Sequence, residues 1–452
     1  MKKSLLWLLL ILLSVSMIAT FSLAGCKKEA VAPAEEEVVE EAAPVEEEQE
    51  VEEITLKYWT LPREPSLEGE SKALELFMEE NPNIKVEFAY IDLSDYDTKV
   101  ATAAEGGSPP DVARVNHVTL VTWAKAGYLA SIDDYIAKSD VIDVNDFFAG
   151  VWAITKFQGK QYSLPIGTDT RVLWCNTKMF KEAGLDGPPK TWEEFKDMAQ
   201  VLTHDDQYGF GAGILDHIYT TSYENFGAFL VTNGGNILKE EDSSVKAISS
   251  QDPATVEAYE FFFSLLDDGL MPKETLEMDS TGIETLFLNN KLAMFYGGPW
   301  VKGRLETLNP DIKFDEDYFL AAPPINKEGQ TPGAAAGGWQ LGVFEGSQHK
   351  DAAFKLVEFM MRPDMMALFA SKENFPVRGE ATGYDPWVSD PFYKAFFDTL
   401  PGSSPPFIPI TAELNELVTA WHKYAQLRML KDMTTEEALT AFDNDANENI
   451  IR

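Results

Sequence analysis

The sequence predicts an α/β protein of two lobes, and three observations lead to this fold class. At 452 residues the chain is too long for one ordinary core, so two lobes are expected. Residues 54–116 alternate between strand and helix patterns, as in a doubly wound sheet. Residues 162–176 form two extended runs joined at Gly167-Thr168-Asp169, which we interpret as a crossing between the lobes. The alternative is an ordinary strand, loop and strand within one domain.

The N-terminus has the pattern of a bacterial lipoprotein signal. Lys2-Lys3 precede an apolar run from Leu5 to Phe21, and Leu23-Ala24-Gly25-Cys26 follows. That tetrapeptide resembles the lipobox, in which the cysteine becomes the lipidated first residue of the mature chain. We therefore predict a signal peptide at 1–25 and lipidation of Cys26. A plain secretory signal and an uncleaved anchor helix are the alternatives.

Residues 26–53 are predicted to be a disordered acidic tether behind the lipidated cysteine. Residues 27–53 contain twelve Glu and two Lys, a net charge of −10. Such a segment buries too little apolar surface to order itself, and its charges repel. Fully extended it reaches roughly 90 Å, at ~3.3 Å per residue. The other cysteine, Cys175, lies in an apolar run and is predicted to be a small core residue.

The charge of the whole chain argues against two classes of partner. The formal net charge is −37. Nucleic-acid binding depends mainly on phosphates neutralised by Lys and Arg, so this charge argues against it. Electrostatic docking onto anionic lipid is disfavoured for the same reason, which leaves the lipid anchor as the expected link to a membrane.

The body begins with a strand and continues as strand and helix in turn. The strand patterns alternate apolar and polar residues, and the helix patterns have one apolar face and end near Gly or Pro. Ligands of doubly wound sheets bind beyond the carboxyl ends of the strands, where Trp59 and Asn116 fall. The assigned elements are Ile54–Thr60, Ser71–Glu80, Ile84–Tyr90, Asp95–Ala104 and Asp111–Asn116.

Further helices follow the crossing. Thr177 to Ala183 has a helical pattern that ends at Gly184. Thr191 followed by Glu194 predicts a capping box, with a helix that continues to Leu202.

A series of short motifs runs across nearly all of residues 54–380 and indicates a family. In this order and spacing the motifs resemble those of extracellular solute-binding proteins of sugar-type ABC transporters, the group that includes maltose-binding protein. The motifs are Ile54–Thr60, Ser108-Pro109-Pro110-Asp111-Val112, Gly159–Thr170, Asn176-Thr177-Lys178-Met179-Phe180, Ala183-Gly184-Leu185, Lys190-Thr191-Trp192-Glu193-Glu194-Phe195, Asn233-Gly234-Gly235, Ala293–Trp300 and Gly337-Gly338-Trp339.

The resemblance implies a type II periplasmic-binding-protein-like fold with three crossings. The second crossing is expected near Leu292 to Gly297 and the third near Gly337 to Val343. The first lobe would consist of 54–167 and 295–339, and the second of 168–294 and 340–452. The Pro-rich stretch 386–409 departs most from the family pattern, so its contribution to the cleft stays open.

The resemblance also implies a function and partners. A monomeric, lipid-anchored, extracytoplasmic protein would bind a carbohydrate in the cleft by hinge closure and present it to ABC permease subunits. It would use no cofactor or metal and catalyse no reaction. A sensory role with a chemoreceptor, and either type of bacterial envelope, stay open.

Three tryptophans are candidates for stacking on sugar rings. Aromatic rings pack on the apolar faces of pyranoses. Trp59, Trp300 and Trp339 each lie at a strand end or beside a Gly-Gly or Gly-Pro turn. The alternative is a core or inter-lobe position. Core positions are predicted for Trp123, Trp152, Trp174, Trp192 and Trp421.

Polar candidates follow from the family positions, because planar polar side chains bind sugar hydroxyls. Asp169 matches the acid at the crossing. Asn116 matches a strand-end position where many members have Asp, and a helix cap is its alternative. Weaker candidates are Tyr223, Glu224, Tyr296, Glu64 and Arg378, with a salt bridge as the alternative for Arg378.

Two rival functions stay open. A secreted carbohydrate hydrolase would need two carboxylates flanking one bond, and 74 acidic residues allow many pairs. The same fold could instead bind a peptide, a polyamine or an iron chelate, and Asp169 with Glu224 keeps the polyamine possible. No ATP-binding loop of the Gly-x-x-x-x-Gly-Lys-[Ser/Thr] type is present in the sequence.

Overall fold

Helices and strands alternate along the chain, which confirms the α/β prediction. The structure is a computed structural model that describes residues 52–61, 66–148, 151–152, 154–213, 225–241, 244–370, 374–385, 387, 389–405, 411 and 413–451. These residues belong to one unit, Val51–Arg452. The predicted signal peptide, Cys26 and nearly all of the predicted tether lie outside the described residues.

The first sheet has five strands in the order β2-β1-β3-β13-β6. β1 runs parallel to β2 and β3, and β13 runs antiparallel to β3 and β6. Between the parallel strands lie α1 (Ser66–Glu80) and α2 (Leu93–Glu105), so the predicted β-α-β-α-β order is confirmed. The strands are β1 (Ile54–Thr60), β2 (Ile84–Tyr90), β3 (Val112–Asn116), β6 (Leu164–Asp169) and β13 (Gly337–Val343).

The second sheet has four strands in the order β12-β7-β11-β8. β7 runs antiparallel to both β11 and β12, and β11 runs parallel to β8. Successive residues of β7 point to opposite faces, so Leu173 and Cys175 join one core and Val172 and Trp174 another. The strands are β7 (Val172–Asn176), β8 (Tyr208–Gly211), β11 (Leu292–Gly297) and β12 (Tyr318–Ala321).

Two hairpins lie outside the sheets. β4 (Lys156–Phe157) and β5 (Lys160–Gln161) are joined at Gln158 and Gly159, whose positive φ angles of 47° and 77° suit a two-residue hairpin turn. The second hairpin is formed by β9 (Leu238–Glu241) and β10 (Ser244–Ala247).

The remaining helices cover the two sheets. In chain order they are α3 (Leu120–Lys125), α4 (Asp133–Ile136), α5 (Thr177–Glu182), α6 (Trp192–Leu202), α7 (Gly227–Thr232), α8 (Pro253–Asp267), α9 (Ser280–Leu288), α10 (Trp300–Leu308), α11 (Lys350–Met360), α12 (Pro363–Ala370), α13 (Lys394–Thr399), α14 (Leu414–Met429) and α15 (Thr435–Asp445).

The start of α6 differs in detail from the predicted capping box. Thr191 Oγ1 accepts a hydrogen bond from the backbone N–H of Glu194 at 3.2 Å, as predicted. The Glu194 carboxylate accepts from the N–H of Lys190 at 2.7 Å instead of from Thr191. The Glu194 carboxylate therefore pairs with the backbone N–H one residue before that of Thr191, the expected donor.

The first crossing is present at the predicted place. β6 ends at Asp169 in the first sheet, and β7 begins at Val172 in the second. Pro165 lies in β6, an edge strand, where proline's missing N–H removes no central ladder bond.

The later segments pair differently from the expected division. β11 and β12 both belong to the second sheet, and Val301 of α10 packs into a core around that sheet. β13 belongs to the first sheet, and Phe354 of α11 packs on its core. The strands within 295–321 therefore lie in the same sheet as those within 172–211. The order of the motifs gives the position of a segment in the sequence, but it does not show with which strand that segment pairs.

The C-terminal region is largely helical. The Pro-rich stretch packs aromatic rings against the second sheet, with Phe392 5.8 Å from Trp174 between ring centroids. Trp123, Trp174, Trp192 and Trp421 are buried as predicted, while Trp152 is half-buried. Cys175 is buried in the core, as predicted. Within the described residues, none of the helices is long and apolar enough to cross a membrane.

Candidate functional site

Strand register brings several predicted site residues to one edge of the first sheet. Asn116 lies opposite Trp339, and Gly337 lies opposite Asp169. Trp59 lies on β1, which pairs with β3 on its other side. The carboxyl ends of β1 and β3 and the crossing therefore meet, where doubly wound sheets bind ligands.

Asp169 is paired inside the protein. It is 8% exposed, and its carboxylate accepts from the N–H of Gly337 at 3.1 Å and forms an ion pair with Arg171. Arg171 also donates to the carbonyl of Ala335 at 3.2 Å and lies 4.9 Å over the ring of Trp300. The acid of the crossing is thus balanced by a guanidinium that also contacts Trp300, the first residue of α10.

His117 joins the same cluster. It is 5% exposed, and its Nδ1 lies 3.4 Å from the carbonyl of Gly338. Burial lowers the pKa of His117 to about 4, and the nearby Asp169 carboxylate only partly opposes this effect. The imidazole is therefore neutral at pH 7.

Sequence reasoning missed both His117 and Arg171. A signal existed for each, because His117 directly follows Asn116 at the end of β3 and Arg171 is two residues after Asp169. That position alone was not enough, because the local sequence does not show whether a single basic residue contacts a ligand or only forms a structural salt bridge.

Glycine permits the close approach of the crossing strands. Gly338 has φ 148°, and a Cβ there would overlap the carbonyl oxygen of Gly167 on β6. A Cβ at Gly337 would lie 3.0 Å from Cε1 of His117. These glycines lie within β13 and not in the turn that their sequence suggested.

The three candidate tryptophans have different environments. Trp59 and Trp300 are half-buried, so each residue keeps part of its surface accessible. Trp339 is 7% exposed and meets the ring of Tyr96 edge-on, with centroids 6.2 Å apart. Trp339 is therefore a residue near the start of the interior strand β13 and not at a loop tip.

Two weaker candidates have the surroundings of structural residues. Tyr296 is 3% exposed and packs between Phe210 and Phe229, and burial raises its pKa well above 10. Arg378 donates to Asp146 at 2.7 Å and to the carbonyls of Val141 and Met361. These contacts favour the salt-bridge alternative for Arg378 and a core position for Tyr296.

Asn116 has a local bond and remains partly accessible. Its side-chain oxygen accepts from the N–H of Val118 at 3.0 Å, a local turn bond before α3, whose N-cap is Thr119 and not Asn116. Its amide nitrogen stays compatible with a ligand contact. Glu64, Tyr223 and Glu224 lie outside the described residues, so these three stay predictions.

The Pro-rich stretch contributes to the crossing. Ser403 Oγ lies 2.7 Å from Thr170 Oγ1 and accepts from the N–H of Ala334 at 3.2 Å. Ser404 accepts from the N–H of Ala336 at 2.9 Å. The segment that sequence could not place thus joins the first crossing to the residues that immediately precede β13.

The cluster combines aromatic rings with hydrogen-bonding groups. Half-buried rings, an amide, a paired carboxylate and a guanidinium can stack on and hydrogen-bond a polar guest. Within the described ranges, no group of three or more His, Cys, Asp or Glu residues could hold a metal ion.

Comparisons with known proteins point to one family. The chain is 26% identical to a Brucella abortus (strain 2308) protein described as a binding protein, over 81% of this chain and 86% of that one. It is 24% identical to the multiple sugar-binding protein of Streptococcus mutans, over 72% of this chain and 75% of the relative.

A solved structure agrees in fold. An ABC transporter solute-binding protein of Thermotoga lettingae, bound with α-D-tagatose, superposes with a TM-score of 0.74 at 26% identity. The match covers 87% of this chain and 99% of that one. The sequence profile of bacterial extracellular solute-binding proteins matches residues 64–367, and the chain therefore belongs to that family.

Proposed function

We propose that this protein is the substrate-binding component of an ABC importer, and that it captures a sugar or oligosaccharide and releases it unchanged. The observation that carries the proposal is the meeting of Trp59, Asn116, Asp169 and Trp339 at one edge of the first sheet. Rings and planar polar groups side by side match the apolar faces and fixed hydroxyls of a pyranose. The tagatose-bound relative supports the same class of ligand.

The charge of the described cluster favours an uncharged guest. Asp169 is paired with Arg171, and His117 is neutral at pH 7. A polyamine would need unpaired carboxylates to balance its ammonium groups, whereas a sugar needs only donors and acceptors. The paired acid therefore favours sugar over the polyamine alternative.

Binding would proceed by closure of two lobes. We assign the first lobe to the first sheet with its helices and the second lobe to the second sheet. Trp59 and Trp339 belong to the first, and Trp300 on α10 packs with the second. A guest that touches both lobes shifts the population towards the closed state by its differential contacts alone.

The location follows from the N-terminal sequence. We propose that Cys26 is lipidated and that residues 27–53 let the folded body move in water within reach of the membrane. The body would deliver its guest to the permease subunits of the importer. ATP hydrolysis would occur on another subunit.

A thermal-shift screen tests the function. The purified mature chain is heated with neutral mono- and oligosaccharides, with peptides and with polyamines. A guest at 100 times its dissociation constant stabilises the folded state by about 2.7 kcal/mol, which raises the melting temperature by several degrees. We expect a shift with a neutral sugar and none with spermidine.

A matched pair of variants and one chemical control complete the test. Trp59→Ala should reduce the shift, and Phe88→Ala, an exposed ring on the neighbouring strand β2, should not. The sugar is recovered afterwards and analysed by mass spectrometry. Cleaved sugar would indicate a hydrolase, and a shift with polyamine or peptide alone would contradict the proposal.

A further inference from the structure

β1 and β3 share only a short ladder, which joins the carboxyl end of β1 to the amino end of β3. Their ladder consists of Tyr58 opposite Val112 and Trp59 opposite Ala113. β1 is followed along the chain by β2 on one side, while β3 lies on the other, so the order of strands reverses here. Such a reversal opens a crevice at the strand ends.

Tyr96 of α2 connects the two strands where this ladder ends. Its side chain is fully buried, and its hydroxyl lies 2.9 Å from the carbonyl oxygen of Trp59 and 3.0 Å from that of Arg114. Burial raises the pKa of Tyr96 well above 10, so the phenol keeps its proton and donates it to these carbonyls. The hydroxyl thereby links the backbone of β1 to the backbone of β3 where their ladder ends.

The ring of Tyr96 contacts a second site residue. It meets Trp339 edge-on at 85°, with centroids 6.2 Å apart. One buried side chain thus contacts the backbone of Trp59 and the ring of Trp339, the two candidate tryptophans of the first sheet.

Tyr58 provides a comparison on the same strand. It is equally buried, and its hydroxyl donates to the Glu70 carboxylate, which also pairs with Arg114 at 3.1 Å. No described hydrogen bond or ring contact joins the Tyr58 side chain to Trp59 or Trp339. Loss of either hydroxyl removes one buried hydrogen-bonding group, but only Tyr96 is connected to the rings.

We propose that Tyr96 is a positioning residue for ligand binding, which holds Trp59 and Trp339 in the arrangement that a sugar contacts. The ligand in this proposal rests on the proposed function, whereas the positioning of the two tryptophans by Tyr96 does not depend on it. It assigns a binding role to a residue that lies beneath the site and touches no guest.

The first measurement needs no ligand. The full mature chain is labelled with 5-fluorotryptophan, and the ¹⁹F resonances of Trp59 and Trp339 are assigned with Trp59→Phe and Trp339→Phe. We expect Tyr96→Phe to shift the Trp59 resonance and, through the adjacent ring, that of Trp339. Tyr58→Phe should leave both in place, and Trp421 should be unmoved in either variant.

The second measurement uses α-D-tagatose and maltotriose as probes, by titration calorimetry. We expect Tyr96→Phe to bind about five-fold more weakly than the wild type, the change that corresponds to one lost hydrogen bond. Tyr58→Phe should bind within about two-fold of the wild type, because one hydrogen bond lost away from the rings changes stability and not the site.

The two measurements separate the failures. Unmoved resonances in Tyr96→Phe, or equal effects of Tyr96→Phe and Tyr58→Phe on resonances or affinity, would overturn the positioning role. If the wild type bound neither sugar, the proposed ligand class would fail, and the resonances would still decide whether Tyr96 positions the rings.

Discussion

Asp169 and Arg171 form an ion pair in which both side chains are about nine-tenths buried, 11% and 9% exposed. Removing one member of a buried pair leaves the other charge without compensation, and this typically costs about 3–5 kcal/mol. We expect Asp169→Asn to lower the free energy of unfolding by about 3 kcal/mol, measured by urea denaturation. The amide preserves the size of the side chain and an acceptor for Gly337.

The matched control is Asp398→Asn, which breaks the exposed pair of Asp398 with Lys394 on α13. Exposed pairs contribute about 0–1 kcal/mol, so this variant should be nearly neutral. If both variants lost the same stability, the Asp169 charge would not be needed to balance Arg171.

His117 predicts a pH dependence of stability. Burial lowers its folded-state pKa from the usual 6.5 to about 4. Above pH 6.5 both folded and unfolded states carry a neutral imidazole, so the group has no effect there. As the pH falls from 6.5 towards 4, the unfolded chain takes up a proton that the folded chain does not, and stability is lost.

We therefore expect the wild type to lose about 2–3 kcal/mol more than His117→Gln between pH 7 and pH 4.5 in urea denaturation. His204→Gln, at an exposed histidine, should keep the wild-type pH dependence. A pH dependence unchanged by His117→Gln would show that the imidazole is not buried as described.

Single residues of the site were predictable where the residue type and a strand end coincide. Trp59, Asn116 and Asp169 could be found because each follows or ends a strand that the alternation pattern identifies. Tyr96 could not be found, because the two carbonyls that its hydroxyl contacts, those of Trp59 and Arg114, come together only when β1 and β3 pair.

Among the secondary-structure elements, β13 can pair closely with β6 because its first two residues are glycines. Gly338 has φ 148°, and a Cβ there would overlap the Gly167 carbonyl and lie 3.1 Å from Cα of Thr168. Gly329 also has a positive φ, 88°, but a Cβ there would have open space. A substitution at Gly329 therefore tests the unfavourable backbone conformation alone, whereas one at Gly338 tests that conformation together with steric overlap.

We expect Gly329→Ala to cost about 1 kcal/mol, the usual penalty for an L-residue in this region. Gly338→Ala should cost at least about 2 kcal/mol more, because β6 or β13 must also move. Urea denaturation gives both values. Equal losses would mean that the two strands have room to separate, and Trp339 would then not be fixed by the crossing.

Elements with a local signal were predicted well, and pairing was not. β1, β2, β3 and the helices between them have apolar periods and turn residues in their own sequence. β12 and β13 are short apolar runs, and nothing within a run states whether it joins the first or the second sheet. Their assignment depends on hydrogen bonds to strands more than 100 residues away, such as Gln340 opposite Val115.

For the whole molecule, the central expectation is that the two sheets approach each other when a guest binds. The first sheet offers the half-buried Trp59, and α10, packed with the second sheet, offers the half-buried Trp300. Because closure depends on contacts made to both sides, loss of either ring should weaken both affinity and closure.

We expect the sugar identified by the thermal-shift screen to reduce the radius of gyration in small-angle scattering of the wild type, at saturating concentration. Trp59→Ala and Trp300→Ala should each bind about ten-fold more weakly, since a stacked aromatic ring contributes on the order of 1 kcal/mol beyond its buried area. Phe88→Ala, with its exposed ring on the outer strand β2, should bind and close as the wild type does. If Trp300→Ala alone kept full affinity, the guest would contact only the first lobe. Binding would then be explained by a rigid site on one lobe and not by closure of two lobes.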